Sequence, residues 1–351
     1  GNYETGSGIK PMTEYSTTQL RVPGPFFRRF SAFLFRGSAQ SGRKHSGGQF
    51  AGVSALAPRA SEELVVPGMI RLSRILMLGL LSAAMVLAGC SPYAIQPRTE
   101  FEISKDVLYS SGSGYKLLAD IYTPASDSRK RPAILILHGG SWQRGNKERM
   151  SDVAQNLAGQ GFVVMNANYR LAPDHPYPAQ IEDVRKAVSF LRKNANRLHL
   201  DAEKIGVLGY SAGGHIALLL ALLPGHEDSR VQAVVTAGAP TDLTAYGDIV
   251  TMHRLLQAEY SKEPKKYEQA SPYFVANGQS PPALLIHGTY DWIVPVSHAR
   301  KMFRALREKG APVELEELPD GHMATTLGVH EESLRLTVDF FRRNLESPTF
   351  Q

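Results

Sequence analysis

The feature that most constrains this chain is a serine boxed between glycines at the end of an apolar run: Lys204 to His215 reads KIGVLGYSAGGH. An uninterrupted Ile/Val/Leu run of this length reads as a strand covered on both faces. Residues 212–223 then take up helical periodicity. Gly209-Tyr210-Ser211-Ala212-Gly213 is thus a G-x-S-x-G pentad at a strand-to-helix junction, where that pattern forms a sharp turn presenting a hydroxyl. A side chain at Gly209 or Gly213 would collide with neighbouring backbone in so tight a turn, and glycine, lacking Cβ, avoids this. The turn lifts Ser211 Oγ above the carboxyl end of the sheet, at a helix N-terminus whose partial positive charge favours a developing anion. The competing reading is an ordinary glycine-rich turn, and the residues downstream decide between them.

Strand-like runs recur at 116–124, 132–140, 162–171, 204–211, 233–240, 282–291 and 313–320, with helix-period segments at 150–160, 179–195, 212–223, 296–309 and 331–344. Strands alternating with helices predict an α/β fold: a mostly parallel central sheet with helices on both faces. Glu182 and Asp183, just inside a helix that starts after Pro178, read as partners of the helix dipole. The irregular stretch 241–280 falls between two strands on the carboxyl-end side of the sheet and reads as a small lid insertion.

A serine hydroxyl is a weak nucleophile unless a base takes its proton and a third group holds that base in the right tautomer. On a sheet of this kind the chain order is serine, acid, histidine. Asp291 in LLIHGTYDWIVP lies just past one strand, and His322 in LPDGHM just past the next. Both are therefore expected at the same sheet edge as Ser211, which assigns Ser211 as nucleophile, His322 as base and Asp291 as orienting acid. Asp242, after the preceding strand, is the alternative acid. Asp320 reads as a turn residue, His215 as a helix-start residue, His287 as a strand-end residue and His330 as a surface residue.

Attack on a carbonyl creates an oxyanion that needs fixed N–H donors. HGGSW (138–142) follows a strand, and its glycines allow close approach of backbone to substrate. The amides of Gly140, Ser141 and Ala212 are the expected donors; His138 is expected to brace the loop and Trp142 to pack against it, with Gly139 supplying the close approach. GSWQRGNK only approaches a phosphate-binding loop, since Asn146 stands where lysine belongs. With no H-E-x-x-H and no complete dinucleotide fingerprint, neither metal nor cofactor is implied.

The net charge of +6 arises entirely in the leader: residues 1–89 hold 10 of the 39 Lys and Arg and 4 of the 33 Asp and Glu, leaving 29 of each sign beyond. A catalytic segment without net positive charge offers no footprint for a nucleic-acid backbone. Residues 1–68 lack sustained periodicity and are expected to be an unfolded or spurious extension, although FFRRFSAFLFR also fits a membrane-surface helix. Residues 69–89 follow a basic start (Arg71, Arg74) with a largely apolar run from Ile75 to Ala88, shorter than the ~20 residues a membrane span needs. Leu87-Ala88-Gly89-Cys90 resembles the lipobox of bacterial lipoprotein signal peptides, which implies lipidation of Cys90, the only cysteine. A signal anchor or a buried thiol are the alternatives. With Ser91 next, the resemblance implies an envelope lipoprotein held on the membrane by Cys90, in the outer membrane facing the periplasm. Residues 90–114 are then a tether and 115–351 the catalytic domain.

HGGSW, NYRLAP, GYSAGG, HGTYDWIVP and DGH, in this order, make residues 115–345 resemble an α/β-hydrolase of the hormone-sensitive-lipase-like carboxylesterase group, nearest its feruloyl and acetyl-xylan esterase branch. The resemblance implies cleavage of small-molecule or polysaccharide-linked carboxylic esters through an acyl-enzyme, with no cofactor. Two positions depart from the lipase-like pattern: Ser141 replaces the last glycine of H-G-G-G, and Tyr210 stands where many members have Asp. The stretch 91–115 is too short for the helical cap such members often carry, so an open site for short acyl groups on bulky alcohols is expected. HGGSW is also similar to the H-G-G-x-W motif of kynurenine formamidases, which makes an amide hydrolase the second reading. A surface lipoprotein that uses the fold only for binding is the third.

Overall fold

Runs of Val, Ile, Leu and Ala without polar interruption are satisfied only between two covering layers, and the computed structural model places them there. It describes residues 97–125, 129–322 and 331–346. The strands are β1 (Phe101–Gly112), β2 (Tyr115–Pro124), β3 (Arg131–Leu137), β4 (Val163–Ala167), β5 (Leu200–Tyr210), β6 (Ala233–Ala237), β7 (Ala283–Gly288) and β8 (Val313–Leu318). They form one sheet in the order β1-β2-β4-β3-β5-β6-β7-β8. β1–β2 and β2–β4 pair antiparallel, and every pairing from β4 through β3 to β8 is parallel. The mostly parallel α/β sheet expected from the alternation is what forms.

The helices are α1 (Ser151–Gly159), α2 (Ala179–Lys193), α3 (Ala212–Leu222), α4 (Val250–Leu256), α5 (Pro264–Gln269), α6 (Ser297–Glu308) and α7 (Glu331–Leu345). Period-two alternation divides each strand between two cores. Ala133, Leu135 and Leu137 of β3 face α2, α3 and α6, where Val184, Ile216 and Met302 lie. Ile134 and Ile136 face the opposite way, toward Leu157 of α1 and Val338 and Phe341 of α7. Fully burying side chains of this size contributes roughly 1.5–3 kcal/mol each, so the two layers hold the sheet from both sides.

Two expectations need correction. Residues 101–112, assigned to a tether, form edge strand β1. Its alternation (Phe101, Ile103, Val107, Tyr109) is interrupted at an irregularity between Ser104 and Val107, where Lys105 is exposed and Asp106 has φ 53°. A bulge leaves residues of one strand unpaired, and the exposed Lys105 stands where the next apolar residue of the alternation would be, which hides the period in the sequence. The stretch 241–280 is not irregular either. It carries α4 and α5, and Met252, Leu255, Leu256 and Tyr267 bury their side chains in the core. Glu182 and Asp183 do more than face a helix dipole: the Arg170 guanidinium lies 2.9 Å from Glu182 and 2.7 Å from Asp183. The N-terminal extension 1–68, the apolar segment 69–89, Cys90 and His330 lie outside the described residues.

Candidate active site

The carboxyl ends of β5, β7 and β8 place three side chains on one rim because parallel strands all point their carboxyl ends the same way. β5 ends at Tyr210, and Ser211 begins the turn into α3 with φ 51° and ψ −119°. A non-glycine residue in the left-handed region is uncommon and is held there only by its surroundings. The Ser211 amide donates to Ala237 O at 2.9 Å, and Ser211 O accepts from His215 N at 3.0 Å. The flanking glycines are required by space: a Cβ on Gly209 would lie 2.2 Å from Gly213 O, and one on Gly213 would lie 2.3 Å from Leu137 O.

Ser211 Oγ is 3.0 Å from His322 Nε2, and His322 Nδ1 is 2.6 Å from Asp291 Oδ2. His322 and Asp291 are buried. With Nδ1–H donated to the carboxylate, Nε2 is left as the acceptor facing the serine hydroxyl, the tautomer a general base requires. Asp291 is held from a second side, since its Oδ1 accepts the amides of Ile293 at 2.9 Å and Val294 at 2.8 Å. Burial alone would raise the Asp291 carboxyl. Hydrogen bonding from His287, His322 and the Val294 amide outweighs it and holds the group well below the usual carboxylate range.

His287 is the residue whose part the sequence did not reveal. Its Nε2–H donates to Val294 O at 2.7 Å and lies 3.4 Å from Asp291 Oδ2, so it braces both Asp291 and the loop that cradles it. The only sequence trace is the four-residue spacing of His287 and Asp291 in HGTYD. Asp242, the alternative acid, is turned away: it accepts from Thr244 N at 3.1 Å and pairs with Lys301 Nζ at 3.0 Å. Asp320 sits in the turn before His322, its carbonyl accepting from Tyr290 N at 2.9 Å. Tyr210 does not take the place of an acid: its OH donates to His322 O at 3.3 Å.

The 138–142 loop lies against Ser211, for a Cβ on Gly139 would come 3.1 Å from Ser211 Cβ. Gly140, at φ 133°, turns the chain so that its carbonyl accepts from the amides of Gln143 and Arg144 at 3.2 and 3.1 Å. Ser141 and Trp142 follow at φ 53° and 60°. Ala212 opens α3, where an amide has no acceptor within the helix. His138 braces this loop: its ring stacks on Tyr169 at 4.3 Å, its Nδ1–H donates to Gly139 O at 2.9 Å, and Tyr169 OH donates to its carbonyl at 2.7 Å. Trp142 Nε1–H donates to His215 Nδ1 at 3.1 Å, and His215 Nε2–H donates to Ala270 O at 2.7 Å. His215 therefore links the glycine loop to the end of α5. Among the described residues no group of three or more His, Cys, Asp or Glu is placed to hold a metal ion.

The BD-FAE family profile matches residues 119–306. Esterase LipQ of Mycobacterium tuberculosis is 30% identical over 243 residues, covering 64% of this chain and 58% of LipQ. This chain thus spans little more than half the length of that curated relative. Among solved structures, a truncated carbohydrate esterase from gut microbiota superposes with a TM-score of 0.63 at 24% identity, covering 70% of this chain and 96% of that one, a likeness of fold. The propionate-bound esterase Est2 of Thermogutta terrifontis superposes with a TM-score of 0.60 at 25% identity, over 72% of this chain and 97% of Est2. The sheet described above is the α/β-hydrolase sheet that these structures share.

Proposed function

The chain belongs to the BD-FAE family, and from that premise we propose that it is a serine carboxylesterase acting on short-chain, aryl or sugar carboxylic esters. The observation that carries the reading is the continuous line from Ser211 Oγ through His322 to Asp291, with separations of 3.0 and 2.6 Å. The LipQ relative is named an esterase, and the Est2 structure holds propionate, a short carboxylate, which supports the same class of reaction.

In the first half-reaction Ser211 Oγ attacks the acyl carbon while its proton passes to His322 Nε2. The carbonyl oxygen becomes an anion, received by the amides of Gly140, Ser141 and Ala212; losing one such donor costs about 10²–10³ in turnover. The His322 imidazolium, stabilised by ionised Asp291, then gives its proton to the departing alkoxide oxygen, and the acyl group stays on Ser211 Oγ. In the second half-reaction His322 takes a proton from water. The hydroxide attacks the acyl carbon, and the proton returns to Ser211 Oγ as the carboxylic acid leaves.

The test is p-nitrophenyl acetate and butyrate hydrolysis by the purified chain and by its Ser211→Ala variant. The wild type is expected to turn both over, and the variant to keep only the ~10³–10⁴-fold acceleration over water that binding and amide donors supply. Hydrolysis of an N-formyl amide in preference to both esters refutes the ester reading in favour of the amide one. Absence of turnover together with absence of organophosphonate labelling at Ser211 refutes catalysis altogether. We also propose that Cys90 is lipidated and holds the enzyme on the outer membrane facing the periplasm, since acyl chains anchor stably when two or more act together. A Cys90→Ala chain that still fractionates with membranes overturns this.

A further inference from the structure

The six large hydrophobic side chains exposed among the described residues all lie on the two stretches that follow β6 and β7. Ile249, Val250 and Phe274 belong to the insertion carrying α4 and α5, and Tyr290, Trp292 and Ile293 surround the acid Asp291. Apolar surface is not gathered at one end of a fold without a use, since each large side chain left in water forgoes its burial energy. Trp292 is the extreme case, 83% exposed, with Tyr290 at 71%.

Their position relative to the chemistry is set by the backbone. Thr289 N donates to Leu318 O at 2.8 Å and Tyr290 N to Asp320 O at 2.9 Å, which ties the loop of Tyr290 and Trp292 to the segment leading into His322. The 138–142 loop lies against Ser211 itself. The acyl oxygen of a bound ester must face the amides of that loop and of Ala212. The alcohol oxygen must face His322 Nε2, which returns the proton to it. The alcohol half of an ester therefore leaves on the side of Tyr290 and Trp292.

We propose that Tyr290 and Trp292 form a ring-stacking subsite for the alcohol half of the substrate, an aryl or pyranose ring on which these side chains lie flat. The inference rests on the esterase reading and narrows it: selectivity for the alcohol resides in the loop of the acid, separate from selectivity for the acyl group. An exposed indole suits this use, because its flat face offers a large contact area with little conformational entropy to lose. Its removal leaves the triad's support intact, since Asp291 is held by the backbone amides of Ile293 and Val294.

The experiment compares the full chain with Trp292→Ala and Tyr290→Ala on ethyl acetate, benzyl acetate and an O-acetylated methyl xyloside, and on ethyl acetate against ethyl butyrate. The kcat/KM ratio of a ring alcohol to ethanol is expected to fall about two- to tenfold in each variant, the usual size of one aromatic stacking contact, while the butyrate-to-acetate ratio stays put. A fall confined to benzyl identifies an aryl ring, and one confined to the xyloside a pyranose; either supports the subsite. Unchanged alcohol ratios, or a change in the acyl ratio alone, overturn it. A second readout needs no turnover: in Ser211→Ala, benzyl alcohol or methyl xyloside is expected to alter tryptophan emission, and Ser211→Ala/Trp292→Phe to lose that response. Ring-dependent emission without hydrolysis of any ester sinks the esterase reading and keeps the subsite. Hydrolysis with neither a ratio change nor an emission change does the reverse.

Discussion

Three imidazoles brace the rim of the site from inside the protein, and acid should loosen them together. Burial holds His138, His215 and His298 down from 6.5 to about 4, with hydrogen bonds to Gly139 and Ala270 and the charge of Asp242 pulling weakly upward. At His215 and His298 the geometry reinforces the effect. His215 Nδ1 accepts from Trp142 Nε1–H, and His298 Nδ1 accepts from the amides of Thr241 and Asp242 at 3.2 and 3.3 Å. A proton added to either Nδ1 sets donor against donor. The unfolded chain binds these protons as pH falls through 6.5, whereas the folded chain refuses them until about 4, so unfolding is favoured progressively across that window. Stability is therefore complete above pH 6.5 and falls toward pH 4. Each refused proton contributes about 1.4 kcal/mol per pH unit, so three give a slope near 4 kcal/mol per unit at mid-window. That is large beside a total stability of roughly 5–15 kcal/mol. Urea unfolding at pH 7.5, 6.5, 5.5 and 4.5, followed by tryptophan fluorescence, measures the slope. His215→Gln should lower it by about one proton's share. A stability unchanged between pH 7.5 and 5, or a slope that His215→Gln leaves intact, refutes the reasoning.

Asp291→Asn tests the acid. The Ile293 and Val294 amides need an oxygen at the Oδ1 position, so the new NH₂ must face His322 Nδ1 and force the wrong tautomer. Turnover of p-nitrophenyl acetate should drop about 10⁴-fold, while Asp242→Asn, which only loosens Thr244 and Lys301, keeps turnover within a factor of a few of wild type; the opposite ranking refutes the assignment. Gly209→Ala puts a Cβ 2.2 Å from Gly213 O, where only backbone movement relieves the clash. A shift of about 1 Å in Ser211 should cost ~10² in rate, and an alanine variant with wild-type turnover and thermal stability shows that the turn is looser than described.

Much of the fold and the candidate site is legible in the sequence, because the relevant physics is local. Glycines flanking a serine at a strand-to-helix junction describe one kind of turn, whatever lies elsewhere. Continuous apolar runs describe strands covered on both faces, and parallel strands bring whatever follows them to a common edge. Position after a strand, with the chain order serine, acid, histidine, accordingly points to Ser211, Asp291 and His322 while leaving Asp242 as a second acid, and the structure places Ser211 and Asp291 each within hydrogen-bonding distance of His322. β1 is hard to read for an equally physical reason: its pairing is irregular between Ser104 and Val107, and the exposed charges of Lys105 and Asp106 interrupt the apolar alternation there.

Other features depend on residues brought together from far apart in the chain, and only the tertiary structure decided them. The placing of β4 between β2 and β3, the diversion of Asp242 to Lys301, the bracing of Asp291 by His287 and the bond from Trp142 to His215 all arise from packing. Each is a pairing between polar or pleated groups that have several potential partners, and only the arrangement of the surrounding core selects one. Sequence spacing determines which chemistry this chain is able to present; the close-packed interior determines which partner each side chain meets.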